Sequence, residues 1–574
     1  MSKQPENKIK DYTLTGIELD MISKNSLIKG GGNDLVVDTS LVNYGISGGM
    51  VWQDVIDDGY RPEDNADKTE KHQQVKAIVD ISGAGDFSDL QQAIDYVNSL
   101  DGGTILINPG TYILKNNITM YSNITLEGRS PQDTILSFNT TAKSILVKGT
   151  SNYTTGTISI NAGASIVVGA GTVWTTLTTN HYILLGNSNW FKITAITNDT
   201  HLTIETPYFG ENLSGVNYVT SIIANNVEIN KLTITGSTTH AIDAQYANNF
   251  KMFNVFLLAN GGDGLYLDTT NWNILDYVVG AYNTGRGFYA NKMLNSSCNR
   301  FFLFTNLGSG GTIEGDSEDN AFHFMKSYNN LIGLTINSSS NNVFTTFDAR
   351  YNNNQGLYIN GGDYLTINMI ADGNLDDGIR VTGDSNNIII DESLIQNNGG
   401  WGLNVVQNTV DNLLMTGCSL ENNTAGPIID AGTGTILRNN QGVPETMEKE
   451  YKRMKNTSGA NIDAGDIVVL KAVAAGDEVT TTTTQGDDKV YGMAIETIAN
   501  NSYGRIQTLG LTNALKVDGT TDIAIGDFIG AFTAAKIGMK AAAGDMAVGI
   551  ALEAYIANDS LGVIDAIICK PRKI

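Results

Sequence analysis

The sequence predicts an all-β protein built around a right-handed parallel β-helix, with an inserted antiparallel β-domain and a small C-terminal β-barrel-like domain. Three observations predict it. A short strand, read as apolar–outward–apolar, recurs at a near-constant interval between about residues 240 and 430. Turn residues keep the same phase. The composition, with 62 Gly, only 8 Pro and frequent Asn, Thr and Ile, suits strands joined by tight turns.

The recurring strand is Ile242-Asp243-Ala244, Leu265-Tyr266-Leu267, Phe288-Tyr289-Ala290, Gly311-Thr312-Ile313, Leu334-Thr335-Ile336, Leu357-Tyr358-Ile359, Ile379-Arg380-Val381, Leu403-Asn404-Val405 and Pro427-Ile428-Ile429. Its central positions step by 23, 23, 23, 23, 23, 22, 24 and 24. A second strand follows in most repeats, as at Asn273-Ile274-Leu275, Leu365-Thr366-Ile367, Asn387-Ile388-Ile389-Ile390 and Asn412-Leu413-Leu414-Met415. Corners are marked by Asn260-Gly261-Gly262-Asp263-Gly264, Asn374-Leu375-Asp376-Asp377-Gly378 and Asn397-Asn398-Gly399-Gly400-Trp401-Gly402. Gly and Asn tolerate the left-handed angles that corners require. Such a period is one circuit of a solenoid; helical repeats are longer and the leucine-rich consensus is missing. Coils spaced by about 4.8 Å make this segment a rod of roughly 43 Å. A single coil cannot bury its own apolar face, so stacking supplies the stability, and the crossover rule sets the hand.

Upstream, Ser82-Gly83-Ala84-Gly85-Asp86-Phe87-Ser88-Asp89-Leu90-Gln91-Gln92-Ala93-Ile94-Asp95 leads into Gly102-Gly103-Thr104-Ile105-Leu106-Ile107-Asn108-Pro109-Gly110-Thr111-Tyr112 and then Asn123-Ile124-Thr125-Leu126-Glu127-Gly128. Leu90, Ala93, Ile94 and Val97 share one helical face that can close the open end of a solenoid. This stretch resembles the opening of the pectate-lyase-like β-helix superfamily, a fold widespread in phage tailspikes. The resemblance speaks for the fold and leaves activity open.

Residues 81–149 are thus read as cap and first coils, and 222–444 as the main solenoid. Between them, 150–221 reads as alternating antiparallel strands, among them Gly156-Thr157-Ile158-Ser159-Ile160, Ser165-Ile166-Val167-Val168-Gly169, Tyr182-Ile183-Leu184-Leu185 and Leu202-Thr203-Ile204. It is similar to small β-modules of phage tail and fibre proteins. Residues 1–80 show no period and read as an extended arm. Residues 445–455 read as a charged connector, and 456–574 as a separate domain containing a duplication. There Ile462-Asp463-Ala464-Gly465-Asp466-Ile467-Val468 recurs as Ile523-Ala524-Ile525-Gly526-Asp527-Phe528-Ile529, and Val490-Tyr491-Gly492-Met493-Ala494-Ile495-Glu496 as Ala547-Val548-Gly549-Ile550-Ala551-Leu552-Glu553. The offsets are 526 − 465 = 61 and 549 − 492 = 57. Gly-Asp turns ahead of Val-x-Gly-x-Ala-x-Glu strands resemble capsid-decoration proteins of tailed phages. That resemblance implies a docking domain for the major capsid protein or another virion component.

A formal net charge of −24 argues against nucleic acid as partner, because phosphate binding needs clustered Lys and Arg. No apolar run approaches a membrane-spanning length, so no membrane insertion is expected, and Met1 to Asn7 lack the apolar stretch of a secretory signal. Cys298, Cys418 and Cys569 lie far apart without metal-ligand spacing and read as buried free thiols.

The register assigns Asp243, Tyr266, Tyr289, Thr312, Thr335, Tyr358, Arg380 and Asn404 to one outward column. Within it, Asp243, Tyr266, Tyr289, Tyr358, Arg380 and Asn404 form a candidate glycan-contacting strip: tyrosine rings suit sugars, and Arg, Asn and Asp bond hydroxyls. The bland reading is that Tyr and Thr are simply favoured in stacked strands. Acidic groups at Glu314, Asp316, Glu318 and Asp319, and at Asp372, Asp376, Asp377 and Asp384, could supply the paired carboxylates of a glycosidase, or hold a structural Ca²⁺ at a turn. Most sit at turns, where Asp bonds locally. The polygalacturonase motif set is missing, and His240 and His323 show no recognisable partners. No catalytic residue, metal site or cofactor is assigned.

The expectation is a homotrimeric virion surface protein, a capsid-bound fibre or decoration spike whose β-helix adheres to a host-surface glycan. Trimerisation follows from the resemblance alone. The alternatives are a tailspike depolymerase, hydrolase or lyase, cleaving host polysaccharide, and a cell-surface adhesin.

Overall fold

The computed structural model describes residues 75–186, 189–432, 435–443, 450–471, 478–534, 536–557 and 559–574. The arm expected over 1–80 lies outside these residues up to residue 74. Its last part does not behave as an arm: Val75–Val79 is a strand, paired in parallel with Gly103–Ile107. The described chain divides into two compact units, Met1–Arg380 with Asn398–Gly400, and Val381–Asn397 with Trp401–Ile574.

The first unit is a parallel β-helix. One ladder runs through Gly103–Ile107, Ile124–Glu127, Glu228–Ser237, Lys251–Leu258, Ile274–Ala281, Ser297–Phe304, Ala321–Tyr328, Val343–Arg350 and Thr366–Asp372. A second runs through Ile145–Lys148, Ile242–Gln245, Leu265–Asn271, Phe288–Leu294, Gly311–Glu314, Leu334–Asn337 and Leu357–Asn360. The pairings Ile242↔Leu265, Leu265↔Phe288, Phe288↔Gly311, Gly311↔Leu334 and Leu334↔Leu357 follow the sequence period. Apolar residues flanking each central position are buried, and rings interlock along the interior, as where Phe322 stacks on Phe344 at 4.8 Å.

At the start of the solenoid, helix Leu90–Asn98 is N-capped by Asp89, whose carboxylate accepts the Gln92 N–H at 2.9 Å. It buries Leu90, Ala93, Ile94 and Val97 and packs on the first strands. Ile145 pairs with Ile242, 97 residues on; less one coil of 23, that leaves 74 residues looped out. These form an eight-stranded antiparallel sheet from Thr150–Tyr153 to Tyr218–Ile222. Its core holds Trp174, Phe191, Ile193 and Tyr218, and Trp174 Nε1 donates to the Tyr218 hydroxyl at 2.9 Å.

The corners work differently from the sequence expectation. Of the corner asparagines, Asn260, Asn374 and Asn398 do not take left-handed angles; Ala259, Gly373 and Asn397 just before them do, at φ 54°, 66° and 56°. Instead Asn260, Asn283, Asn306, Asn330, Asn352, Asn374 and Asn398 are buried and stacked. From Asn283 on, each amide oxygen accepts from the backbone N–H of the asparagine one coil earlier, at 2.9–3.1 Å, and the amide nitrogens link along the same row. The glycines serve close approach: a Cβ at Gly264 would stand 2.7 Å from the Gly287 carbonyl oxygen, and one at Gly356 2.8 Å from that of Gly378.

In the second unit, Trp401–Val405 pairs with Gly426–Asp430, matching Leu403 to Ile428 and Asn404 to Ile429. The predicted register there is off by one. Ile428 points inward and is buried, and Ile429 is the exposed outward residue. Three consecutive apolar side chains gave no alternation to fix the phase. The connector also changes character: Glu450–Asn456 is a strand, paired antiparallel with the start of the long strand Tyr503–Val517. That long strand is shared by two closed sheets. One contains Glu450–Asn456, Glu478–Thr480, Ile467–Leu470 and Val490–Ala494; the other Gly538–Lys540, Phe528–Ala531, Met546–Ala551 and Gly562–Lys573. The bridges Ile462↔Ile498 and Ile523↔Tyr555 repeat the duplication, since 523 − 462 = 61 and 555 − 498 = 57. Each Gly-Asp turn closes the same way. Asp466 accepts the Asp463 N–H and Asp527 the Ala524 N–H, both at 2.7 Å. A third copy, unremarked in the sequence, has Asp545 accepting from Ala542 at 2.9 Å.

Candidate functional site

The outward column of the second ladder carries the candidate strip. Asp243, Tyr266 and Tyr289 fall on consecutive coils, and Tyr358 lies on the same column beyond Thr312 and Thr335. Arg380, in the first unit, pairs loosely with buried Asp377 at 3.8 Å. Asn404 belongs to the second unit, where it is half-buried. Within the first unit the structure therefore gathers Asp243, Tyr266 and Tyr289 into one cluster.

Around these three stands a group that the sequence reading passed over. His240, Asp263 and Arg286 stack one per coil at the edge of the strip. Asp263, only 3% exposed at its side chain, is the hub. Its Oδ1 accepts the Arg286 backbone N–H at 2.7 Å and Nε at 2.9 Å, and Oδ2 accepts Nη2 at 3.2 Å. His240 Nδ1 lies 3.1 Å from the Asp263 backbone nitrogen and 3.3 Å from its Oδ2. Neutral, that nitrogen accepts the N–H; protonated, it donates to the carboxylate. Burial pushes the Asp263 carboxyl upward, but hydrogen bonds from His240 and Arg286 and the arginine charge outweigh it and hold it below the usual range. Positions 240, 263 and 286 differ by 23, so the period itself pointed to these partners.

The aromatic rings are engaged with one another. Tyr266 is stacked between His240, at 4.5 Å, and Tyr289, at 4.9 Å. Arg286 lies over the Tyr289 ring, 4.0 Å from its centroid. The Tyr289 hydroxyl donates to Glu314 Oε1 at 2.5 Å, and Asn337 Nδ2 reaches Glu314 Oε2 at 3.3 Å. Burial, then the bond to Glu314, pushes the Tyr289 phenol upward; burial and nearby carboxylates, Asp268 first, do the same at Tyr266. Asp243 is bound by Lys148 at 2.6 Å and by Gln245 at 2.9 Å. Stacking along the solenoid thus consumes both faces of Tyr266. What the strip leaves accessible is ring edges, a hydroxyl and the exposed sides of His240 and Arg286, a surface of hydrogen-bonding groups.

Of the acidic groups flagged in sequence, Glu314 joins this cluster, and Asp376 accepts from Gln355 Nε2 at 2.5 Å. His323, expected to lack a partner, meets Thr345 Oγ1 through Nδ1 at 2.6 Å. Among the described residues no three His, Cys, Asp or Glu side chains gather where they could hold a metal ion, and no helix is long and apolar enough to cross a membrane.

Fold and site together define a β-helix protein with a polar, aromatic-edged lateral strip. Residues 296–441 match the family model described as the right handed beta helix region. No curated protein matches the chain. Among solved structures it is similar to the A-module of Azotobacter vinelandii mannuronan C-5 epimerase AlgE6, at 14% identity and a TM-score of 0.42, over 62% of this chain and 94% of that one. The catalytic unit of the GH87 α-1,3-glucanase from Streptomyces thermodiastaticus strain HF3-3 aligns at 10% identity and 0.38, over 62% and 66%. The tailspike protein gp49 of Pseudomonas phage LKA1 aligns at 11% and 0.30, over 73% and 88%. What those proteins act on is theirs alone.

Proposed function

We propose that this chain is a virion surface protein, a homotrimeric spike or fibre whose β-helix adheres to a host-surface glycan and whose residues 456–574 dock on the capsid. One observation carries the adhesive part: the continuous lateral row of His240, Tyr266, Arg286, Tyr289 and Glu314, held rigid by mutual bonds and presenting donors and acceptors to solvent. Pre-set polar groups bind hydroxylated ligands without a large ordering cost. The docking part rests on the likeness of the duplicated Gly-Asp turn domain to capsid-decoration proteins. Binding of purified protein to host capsule or lipopolysaccharide, with Arg286→Ala as control, tests adhesion. Light scattering in solution tests the trimer, and a deletion of 456–574 that still decorates particles overturns the anchor.

A second reading, a polysaccharide-cleaving tailspike, is favoured by one feature. His240, held by Asp263, stacks directly on the Tyr266 phenol, so two groups able to transfer protons share one surface. Incubation with the same polysaccharides separates the readings. Release of reducing ends or unsaturated sugars by the wild type, abolished by His240→Ala, establishes the enzyme.

A further inference from the structure

Trp272 sits at a solenoid corner with left-handed backbone angles, φ 56°. The equivalent corners of neighbouring coils are Asn226, Asn249, Asn295 and Asp319, at φ 55°, 54°, 49° and 58°. Asn and Asp enter that region cheaply because their short polar side chains bond locally; an indole has no such compensation. Burial does not supply one either, since Trp272 remains 50% exposed. Its ring is nevertheless pinned. Nε1 donates to Asn189 Oδ1 of the inserted domain at 2.6 Å, and Asn271 Nδ2 donates to the same oxygen at 3.0 Å. Tyr364, farther along the same corner column, is likewise left-handed, at φ 49°, and 61% exposed, so backbone and exposure alone do not single out Trp272. What marks it is an exposed indole held in a fixed orientation beside a groove.

Trp272 lines a groove of about 630 Å³ in which Ile274 adds apolar surface and the other lining residues are mostly Asn and Ser, Asn226, Asn249, Asn273, Ser296 and Ser297 among them. Asn249 Nδ2 donates to Asn226 Oδ1 at 2.6 Å, and Asn226 Nδ2 to Asn123 Oδ1 at 3.0 Å, so the amides are aligned along the coils. Asn273 is 1% exposed and donates Nδ2 to Thr270 Oγ1 and Ser296 Oγ, at 2.9 Å each. Its Oδ1 is a buried acceptor that no donor among the described residues reaches. With coils spaced by about 4.8 Å, the row from Asn226 to Asp319 extends about 19 Å along the solenoid.

We infer that this groove binds a short neutral oligosaccharide, with Trp272 as platform for the apolar face of one pyranose ring and the amides bonding hydroxyls. Amides both donate and accept, as hydroxyls do. None of the lining residues is basic, and Asp319 is acidic, which disfavours an anionic glycan. Unlike Tyr266, the indole is not stacked between rings of its own ladder. The site shares no residue with the Tyr266 strip and rests on the adhesive reading only in the choice of probe.

Titration calorimetry on the full chain with maltohexaose, cellohexaose and chitohexaose, and with an oligogalacturonate of equal length, tests the inference. At least one neutral hexamer binds saturably, and more tightly than the oligogalacturonate. Trp272→Asn weakens that binding by about tenfold or more, and Trp272→Phe retains part of it. Because Asn suits the corner, and Asn271 still satisfies Asn189, Trp272→Asn leaves the Tm unchanged or raises it. A lower Tm makes the indole a structural residue and overturns the proposal whatever the binding does. Absence of saturable binding to all three neutral hexamers also overturns it. If Arg286→Ala abolishes binding while Trp272→Asn does not, the ligand belongs to the strip: the groove fails and the adhesive reading survives.

Discussion

The Asp263 carboxylate holds Arg286 on the following coil twice over, through the backbone N–H at 2.7 Å and through Nε at 2.9 Å. One side chain therefore fixes both the stacking of two corners and the placement of a guanidinium on the strip. Hydrogen bonds to charged groups contribute about 1.5–3 kcal/mol, so Asp263→Asn should lower stability by roughly 2 kcal/mol near neutral pH. The folded carboxyl titrates below its unfolded value of about 3.9. Its contribution is thus complete above that value and is lost as pH falls through the folded one. Urea unfolding followed by circular dichroism at stepped pH should show wild-type stability dropping more steeply below about pH 4 than that of Asp263→Asn. Parallel curves would contradict the ion-pair account.

The asparagine row predicts a gradient of effects along the solenoid. Asn306→Ala removes the acceptor for both the Asn283 backbone N–H and the Asn283 Nδ2, stranding two buried donors. Asn260, at the start of the row, accepts the Ser237 N–H, so its loss strands one. At about 1–3 kcal/mol for each unsatisfied buried group, Asn306→Ala should cost about 3 kcal/mol and Asn260→Ala about half of that. Hydrogen exchange should localise the Asn306→Ala loss to coils adjoining residue 306, because each coil touches only its neighbours. Uniform loss across the solenoid would refute the picture.

The same row shows where the sequence was legible. A period of 23 converts sequence distance into spatial stacking, so the registers from Ile242 to Leu357 could be read directly, and the helix face of Leu90, Ala93, Ile94 and Val97 could be read from its spacing. The period also carried Asn260–Asn283–Asn306 and His240–Asp263–Arg286, but attention to turn propensity hid the first and a search for local partners hid the second. Ile428 failed because three apolar residues in a row leave the phase of a strand undetermined. Stacking of Tyr266 between His240 and Tyr289 was beyond sequence reasoning: pattern places a ring outward, and only coordinates say which of its faces are taken.

In the C-terminal domain the duplicated turns are chemically alike and energetically unequal. Asp466 is 1% exposed and bonded by Lys516 Nζ at 2.7 Å, with Lys536 at 3.5 Å. Asp527 is more open and meets Lys540 at 2.8 Å. Removing one partner of a buried pair costs about 3–5 kcal/mol, whereas exposed pairs contribute about 0–1. Since Lys516 stays partly solvated, Asp466→Ala should cost about 3 kcal/mol, and Asp527→Ala about 1 through its turn bond. Thermal unfolding of the two variants decides this; equal losses would mean the turns, and not the lysines, dominate.

Cysteine labelling offers a probe of local opening. The thiolate is the reactive form, and burial pushes Cys298 upward, raises Cys418 to about 11, and raises half-buried Cys569 against the opposing charge of Arg572. Cys298 and Cys418 also lie in solenoid interiors, where access requires coils to separate. At pH 8 a maleimide should therefore modify Cys569 first in the native protein, and Cys298 and Cys418 only at urea concentrations that open the coils. Mass spectrometry of timed digests reads the order directly. Early modification of Cys298 without denaturant would mean that its coil, packed between Leu275 and Phe322 in the ladder, opens far more readily than stacked neighbours allow.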